Sequence, residues 1–356
     1  MTNPRFSICI PNFNYENYLG ITIDSVLNQD FTDFEIIIVD NASTDGSWKL
    51  IADYAAKDQR IKTFKNNVNI GFAPNLQEVT TKATGSFILL LSSDDLMRPG
   101  ALSKVNKVIT DLGELANRSI IHTGSSIIDA FGKEEYSVHR DYDKRKNNPN
   151  GFFPHVSSNY HGFTGAHFVE KGQVVLKAAI STGKSAATFC ATFFSRTLWE
   201  EVGGYDVSFQ IIPDTIFLYR LLNQDSQMVY VHEKLFDYRI HSNNQLASVK
   251  GYGPLKTQLD GYLFLIRYSD SWFVKAGIKK EEAVKTFLKQ YCANESLISI
   301  SKGNFIQAIR KLNFGFACYP FEALLVGKFY ACWLAIVSFP ISYPSLLVLR
   351  KLRNRI

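Results

Sequence analysis

The sequence predicts an α/β fold in which a parallel sheet is covered by helices, and three observations carry that prediction. Short apolar runs of β type alternate with segments of helical period through the first 130 residues. Polar clusters follow the first, second and fourth runs, where the carboxyl ends of strands in an open sheet would lie. The chain has 356 residues, 46% of them hydrophobic and 20% charged, enough for one large domain and a smaller appendage.

Strands are expected at residues 6–10, 35–39, 61–64, 87–91 and 119–123. Between the first two, the segment Glu16 to Asn28 sets Leu19, Ile23, Val26 and Leu27 on one helical face. A second helix covers Ser47 to Ala56. After the fourth strand Pro99 opens a helix in which Leu102, Val105, Ile109 and Leu112 recur at helical spacing. From 132 to 185 no clear period emerges and Lys133 to Asn150 is strongly polar, so a long loop region, a candidate lid, is expected. Order returns at Thr188 to Phe194, then Arg196 to Val202, Gly203-Gly204-Tyr205-Asp206, a helix near Asp214 to Leu222 and an extended Met228 to Ile240.

These elements place a first domain at residues 1–248 and a helical extension at 249–320, amphipathic over 255–313. A tail covers 321–356: residues 329–349 carry no charged side chain, and Arg350, Lys351, Arg353 and Arg355 follow.

Composition excludes several functions. The 39 Lys and Arg against 33 Asp and Glu give +6, without a basic cluster of nucleic-acid type before residue 350. Cys9, Cys190, Cys292, Cys318 and Cys332 are odd in number and scattered, with no C-x-x-C pair, so neither a disulfide framework nor a zinc site is indicated. Met1 leads directly into Phe6-Ser7-Ile8-Cys9-Ile10 without an apolar signal region, which makes the cytoplasm the expected compartment.

The chemistry is expected where strand ends converge: Pro11-Asn12-Phe13-Asn14, Asp40-Asn41-Ala42-Ser43 and Ser92-Ser93-Asp94-Asp95. Adjacent carboxylates can face different ways, one ligating a hard divalent cation while the other accepts from a sugar hydroxyl. The plainer alternative makes Asp95 a cap of the following helix.

Taken together, Ser7 to Asn14, Ser25-Val26-Leu27-Asn28-Gln29, Ile37 to Ser47 and Ser92 to Asp95 resemble the family 2 glycosyltransferases of GT-A fold. The resemblance continues through Asn69-Ile70-Gly71-Phe72, Gly203 to Asp206, Asp214 to Arg220 and Tyr238-Arg239-Ile240-His241, covering residues 5–245. It implies a Rossmann-like mixed sheet flanked by helices, with a C-terminal helical region. It also implies an inverting transfer of one sugar from a nucleotide-diphosphate sugar, with UDP or TDP as the carrier. Pro11, Asn12, Phe13, Asn14, Asp40, Asn41, Asn69 and Gly71 would hold the nucleotide, Phe13 by stacking on the base. Asp95 and His241 would ligate Mn2+ or Mg2+, and Asp94 would contact the ribose or donor sugar; the two acids can also exchange these roles.

Three departures from that pattern stand out. Asn41 replaces a frequent Asp, Ser92 replaces the first acid of an Asp-x-Asp metal motif, and Pro213 replaces the first acid of the pair six residues before Arg220. Asp214 remains as the expected general base, with helix N-capping the alternative. None of Trp48, Trp199, Trp272 or Trp333 follows an Arg, so the Gln-x-x-Arg-Trp motif of similar polymerising enzymes is missing and a single transfer is expected. His122, His139, His155, His161, His167 and His232 show no ligand spacing.

Residues 329–349 would span about 31 Å as one helix, but Pro340 and Pro344 interrupt it. The expectation is therefore an interfacial segment anchored by Phe329, Tyr330, Trp333 and the final cations, seating a peripheral enzyme on the inner face of the membrane beside a lipid-linked saccharide acceptor. Packing against residues 255–313, or against a second subunit in a homodimer, is the alternative. For the whole protein, a non-catalytic nucleotide-sugar or glycan-binding scaffold of the same fold is the competing function.

Overall fold

The structure is a computed structural model and describes residues 3–134, 167–183, 185–242, 244 and 255–337. Nine strands form one mixed sheet: β1 Phe6–Asn12, β2 Phe34–Asp40, β3 Ile61–Lys65, β4 Phe87–Leu90, β5 Leu96–Met97, β6 Ser119–Ile128, β7 His167–Lys171, β8 Thr192–Ser195 and β9 Gln227–Arg239. Their order is β3-β2-β1-β4-β8-β6-β9-β5, with β7 also on β9. The first four in this order run parallel. β8 then enters antiparallel between β4 and β6, which makes the sheet mixed.

β1 and β2 are buried along almost their whole length, which explains their unbroken apolar runs: both faces of a parallel sheet are covered. The cover comes from α1 Glu16–Leu27, α2 Ser47–Ala55, α3 Phe72–Thr81 and α4 Ala101–Leu112. Leu19, Ile23 and Val26 of α1 and Leu102, Val105 and Ile109 of α4 join Ile8, Ile36, Leu89, Phe193 and Phe236 in one core. Downstream come α5 Gly172–Thr182, α6 Arg196–Val202 and α7 Pro213–Leu222.

Two irregularities position the site. The register between parallel β6 and β9 shifts at Thr123/Gly124 and again at Gly124/Ser125, a bulge that bends β9. Beyond the bend, Phe236 and Asp237 pair antiparallel with Met97 and Leu96 of β5. The two residues preceding β5 are Asp94 and Asp95, so the acid pair is stitched to the end of β9.

The expected loop over 132–185 is corrected in part. Residues 167–171 form β7, which pairs antiparallel with β9, and 172–182 form α5. A strand this short is defined by a distant partner and leaves little local pattern, whereas Val175, Leu176, Ala179 and Ile180 do bury one side of α5. Residues 135–166, with most of the polar stretch and the candidate lid, lie outside the described residues, as do His139, His155 and His161.

The chain divides into two compact units: residues 1–176, 185–208 and 213–242, and residues 177–184, 209–212 and 243–356. The second is helical, with α8 Lys256–Arg267, α9 Asp270–Lys275, α10 Lys280–Phe287, α11 Glu295–Ser301, α12 Phe305–Cys318, α13 Pro320–Leu324 and α14 Gly327–Val337. Its core includes Phe264, Phe273, Phe287, Cys292, Leu312, Phe329 and Cys332. At Gly315 of α12 a Cβ would stand 2.9 Å from both Cys292 Sγ and Phe329 Cζ, so these helices pack on bare backbone. Phe329, expected among the membrane anchors, is therefore a core residue: helical spacing turns it inward with Cys332 and Ala335. Among the described residues no helix is long and apolar enough to cross a membrane. Residues 338–356, including the final cations, lie outside the description.

Candidate functional site

β1 and β2 end in register, Asn12 opposite Asp40, and their side chains build a closed corner. Asn12 Nδ2 donates to Asp40 Oδ1 at 2.8 Å, and Ser43 donates to the same carboxylate from Oγ at 2.5 Å and from its backbone N–H at 3.0 Å. Ser43 Oγ in turn accepts from the Asn14 N–H, while Asn14 Oδ1 accepts from the Thr44 N–H. Asn12 and Asp40 are fully buried, so they shape the corner from beneath, whereas Phe13 and Asn14 are exposed above it. Both Asn14 and Ala42 sit at φ 59°, left-handed backbone that costs a non-glycine residue about 1–2 kcal/mol.

Asn41 explains its own departure from the family pattern. Its Nδ2 donates to Asn69 Oδ1 at 2.9 Å and to the Gly71 carbonyl at 3.2 Å, while its Oδ1 accepts from Asn66 Nδ2 and the Ile70 N–H. An aspartate could accept those two bonds but would set its other oxygen against two acceptors. The amide thus ties the 66–71 turn to the end of β2, and Asn69 and Gly71 act through that turn. Gly71, at φ 92°, suits the chain reversal that opens α3.

The acid pair lies on a turn held from three sides. Thr22 Oγ1 of α1 lies 3.0 Å from the Ser93 carbonyl and 2.9 Å from that of Asp95. Ser93 Oγ donates to the Pro11 carbonyl, and Arg239 Nε donates to the Asp94 carbonyl at 2.8 Å. Asp95 is fully buried, with Oδ1 accepting the Arg239 N–H at 2.9 Å, while its Oδ2 makes no hydrogen bond of ordinary geometry. It caps no helix: the N-cap of α4 is Gly100, and no side chain caps that end.

His241 meets Asp94, the neighbour of its expected partner. Its Nε2 stands 2.9 Å from Asp94 Oδ2, and both side chains are buried to within a few per cent. The imidazole stacks on Tyr18 at 4.5 Å and takes the edge of Tyr15 at 5.8 Å. Arg239, on the same face of the strand two residues earlier, lies over the Tyr18 ring and also donates to the Asp129 and Ala130 carbonyls. Burial raises the carboxyl of Asp94, with the His241 hydrogen bond opposing it. Burial and the charge of Asp94 push Asp95 well above the usual carboxylate range.

Asp214 stands in the first turn of α7 and lines a cavity of about 30 Å3 with Leu90, Thr188, Phe194, Tyr205 and Phe217. Burial raises its carboxyl, against the helix N–H of Thr215. The Gly203 to Asp206 and Asp214 to Arg220 motifs join here. Arg220 donates to the Val202 and Gly204 carbonyls, and the Tyr205 ring stacks on Phe217 at 4.1 Å. Tyr238 connects the two acidic regions: burial, then the charges of Asp95, Asp94 and Asp214 among others, hold its phenol un-ionised.

The structure therefore brings Pro11 to Asn14, Asp40, Asn41, Asn69 and Gly71 together at one rim, Asp94, Asp95 and His241 at the next strand ends, and Asp214 within electrostatic range of Tyr238. The sequence motifs contain Ser43 and Arg239 without giving either a role, and they omit Tyr15 and Tyr18. Arg239 had a signal, since strand alternation puts 239 and 241 on one face; the tyrosines, brought in by α1, had none. His122 is a core residue, 3.0 Å from Thr192 Oγ1, and burial lowers it to about 3.

Among the described residues no group of three or more His, Cys, Asp or Glu could hold a metal ion. Asp94 Oδ2 and His241 Nε2 offer one carboxylate oxygen and one imidazole nitrogen, two donors of the types that divalent cations take.

Residues 7–167 match the model of the family described as Glycosyl transferase family 2. An undecaprenol-linked saccharide β-1,3-glucosyltransferase of Campylobacter jejuni, GalNAc(5)-diNAcBac-PP-undecaprenol beta-1,3-glucosyltransferase, is 34% identical over 131 residues, 36% of this chain and 40% of that protein. An uncharacterized glycosyltransferase of Rickettsia typhi is 26% identical over 300 residues, 80% and 83% of the two chains. The chain spans less than half the length of the first curated relatives it matches. In fold it is similar to S. aureus TarS 1-349, solved in complex with UDP-GlcNAc, at a TM-score of 0.64 and 15% identity over 94% of this chain and 91% of that one. The resemblance drawn from the motifs is borne out, over residues 7–167 in sequence and over most of the chain in its GT-A fold.

Proposed function

We propose that this chain is an inverting glycosyltransferase that moves one sugar from a nucleotide-diphosphate sugar to a hydroxyl of a lipid-linked saccharide, at the cytoplasmic face of a membrane. The observation that carries the reading is the Asp94–His241 pair, 2.9 Å apart at the carboxyl end of β4, beside the Asn12–Asp40–Ser43 corner of β1 and β2. Ligands of open α/β sheets bind at such strand ends.

In this reading Phe13 and Asn14 face the base and ribose, and the buried Asn12, Asp40 and Asn41 keep that rim in shape. Asp94 and His241 hold Mn2+ or Mg2+, whose charge would offset that building on the leaving diphosphate. Asp95 holds the end of β9 in place. Asp214 accepts the proton of the acceptor hydroxyl as its oxygen bonds to the anomeric carbon and the bond to the diphosphate breaks. Attack from the face opposite the diphosphate inverts that carbon. The raised carboxyl of Asp214 suits the role, since a base works best with a pKa close to the working pH. The acceptor class is suggested by the undecaprenol-linked substrate in the name of the Campylobacter relative.

The test is thermal stability against UDP-, TDP- and GDP-sugars with and without Mn2+, on wild type and Asp94→Ala. A ligand at 100 times its dissociation constant stabilises by about 2.7 kcal/mol. A metal-dependent shift with one nucleotide, lost in the variant, is expected; no shift with any of them would overturn the reading. The scaffold reading draws on Ser92 and Pro213, which stand where the family has acids. It would be favoured by nucleotide binding without turnover on the proper acceptor.

A further inference from the structure

α14 is apolar on two opposite faces. Phe329, Cys332 and Ala335 are buried. On the outer side Tyr330 is 52% exposed, Trp333 40% and Val337 78%. Spacings of three and four residues make these one stripe along the helix. α13 and the residue after it add Phe321 at 80%, Leu324 at 51% and Leu325 at 74%. A helix with a polar outer face needs no partner, whereas this concentration of large apolar side chains marks a binding surface.

Charge identifies the occupant. After Glu322 the chain contains Lys328, Arg350, Lys351, Arg353 and Arg355 and no Asp or Glu. Tyr and Trp among aliphatic side chains, in a chain end with one acid, Glu322, against five cations, suit the headgroup level of an anionic bilayer. Because α14 buries Phe329, Cys332 and Ala335 within the protein, and Pro340 and Pro344 interrupt the apolar run that follows it, the helix suits the plane of the interface rather than a crossing. We infer that the outer face of α13 and α14 is a membrane-docking surface that inserts Phe321, Leu325, Tyr330 and Trp333 into the interface of an anionic bilayer. The inference deepens the proposed function by supplying the surface through which an enzyme with a lipid-linked acceptor reaches it; its geometry is independent of the catalytic residues.

The experiment is co-sedimentation of the full-length protein with phosphatidylcholine vesicles, with and without one quarter phosphatidylglycerol, read together with tryptophan quenching by brominated lipid. Binding to the anionic vesicles is expected, weakening with salt. The double variant Tyr330→Ser with Trp333→Ser should reduce binding at least tenfold and abolish the quenching. Replacing Arg350, Lys351, Arg353 and Arg355 by Gln should remove the preference for anionic lipid. A melting temperature close to wild type and unchanged UDP binding would show that neither variant has disturbed the fold. A protein that ignores vesicles but forms a dimer dissociated by the double variant would overturn the inference in favour of a second copy on this face. A monomer that ignores vesicles, with its terminus protected from protease, would overturn it in favour of the chain's own end. Loss of vesicle binding with nucleotide binding intact would leave the catalytic reading standing, and the reverse would leave the surface standing.

Discussion

Ala42 holds left-handed backbone beside the corner of β1 and β2, where glycine would carry no Cβ penalty. Ala42→Gly is expected to stabilise the protein by about 0.5–1 kcal/mol, read as a rise in melting temperature. Asn41→Asp should have the opposite effect, losing about 1–3 kcal/mol, because a carboxylate cannot donate to Asn69 Oδ1 and Gly71 O. Asp214→Asn should leave nucleotide binding intact and lower turnover by about 10^2–10^4-fold. Since burial raises Asp214, the wild-type rate should fall as pH drops through a limb above the ordinary carboxylate value of about 3.9. The same shift means that ionised Asp214 costs stability. The Asn variant should therefore melt higher at neutral pH, with an advantage that shrinks through the raised pKa and vanishes below the unfolded value. A variant melting lower at pH 7 would contradict this.

Among the elements, β9 carries the greatest share of the site. Its bulge bends it toward β5, its N–H at Arg239 satisfies Asp95, and its end delivers His241 to Asp94. Arg239→Gln would strip donors from the carbonyls of Asp94, Asp129 and Ala130, and is expected to weaken Mn2+ binding in electron paramagnetic titration. Arg239→Lys should retain part of it through charge alone. α6 shows how local sequence fixes an end: Ser195 accepts the Leu198 N–H, and Gly203 closes the helix at φ 71°. α5 and β7 show the limit, because β7 exists as a strand through its pairing with β9, 56 residues or more downstream in the chain.

At the scale of the whole molecule, the two units are interleaved in sequence. Within the second unit Asp260 accepts the N–H groups of Gln210, Ile211 and Ile212, Gln290 donates to the Thr182 carbonyl and Thr286 to that of Ser181. Cutting the chain after residue 242 would remove all those partners while keeping residues 181–182 and 210–212. A fragment of residues 1–242 should therefore melt lower and less cooperatively than the full chain in calorimetry; a fragment as stable as the full chain would show those bonds to be dispensable.

The sequence by itself determined the α/β class, most strands and helices of the first unit, and the strand ends where polar residues gather, because hydrophobic periodicity and turn chemistry are local. Its motifs also pointed to the family, since their order along the chain survives where overall identity is low. What only the tertiary structure decided was partnership: that His241 faces Asp94, that Asp95 serves the backbone of β9, that Asn41 must be an amide, and that Phe329 points inward while Trp333 points out. Each of those depends on atoms brought together from distant parts of the chain, through a bulge, a register or a helix face, and no local pattern encodes which of two neighbouring side chains will meet them.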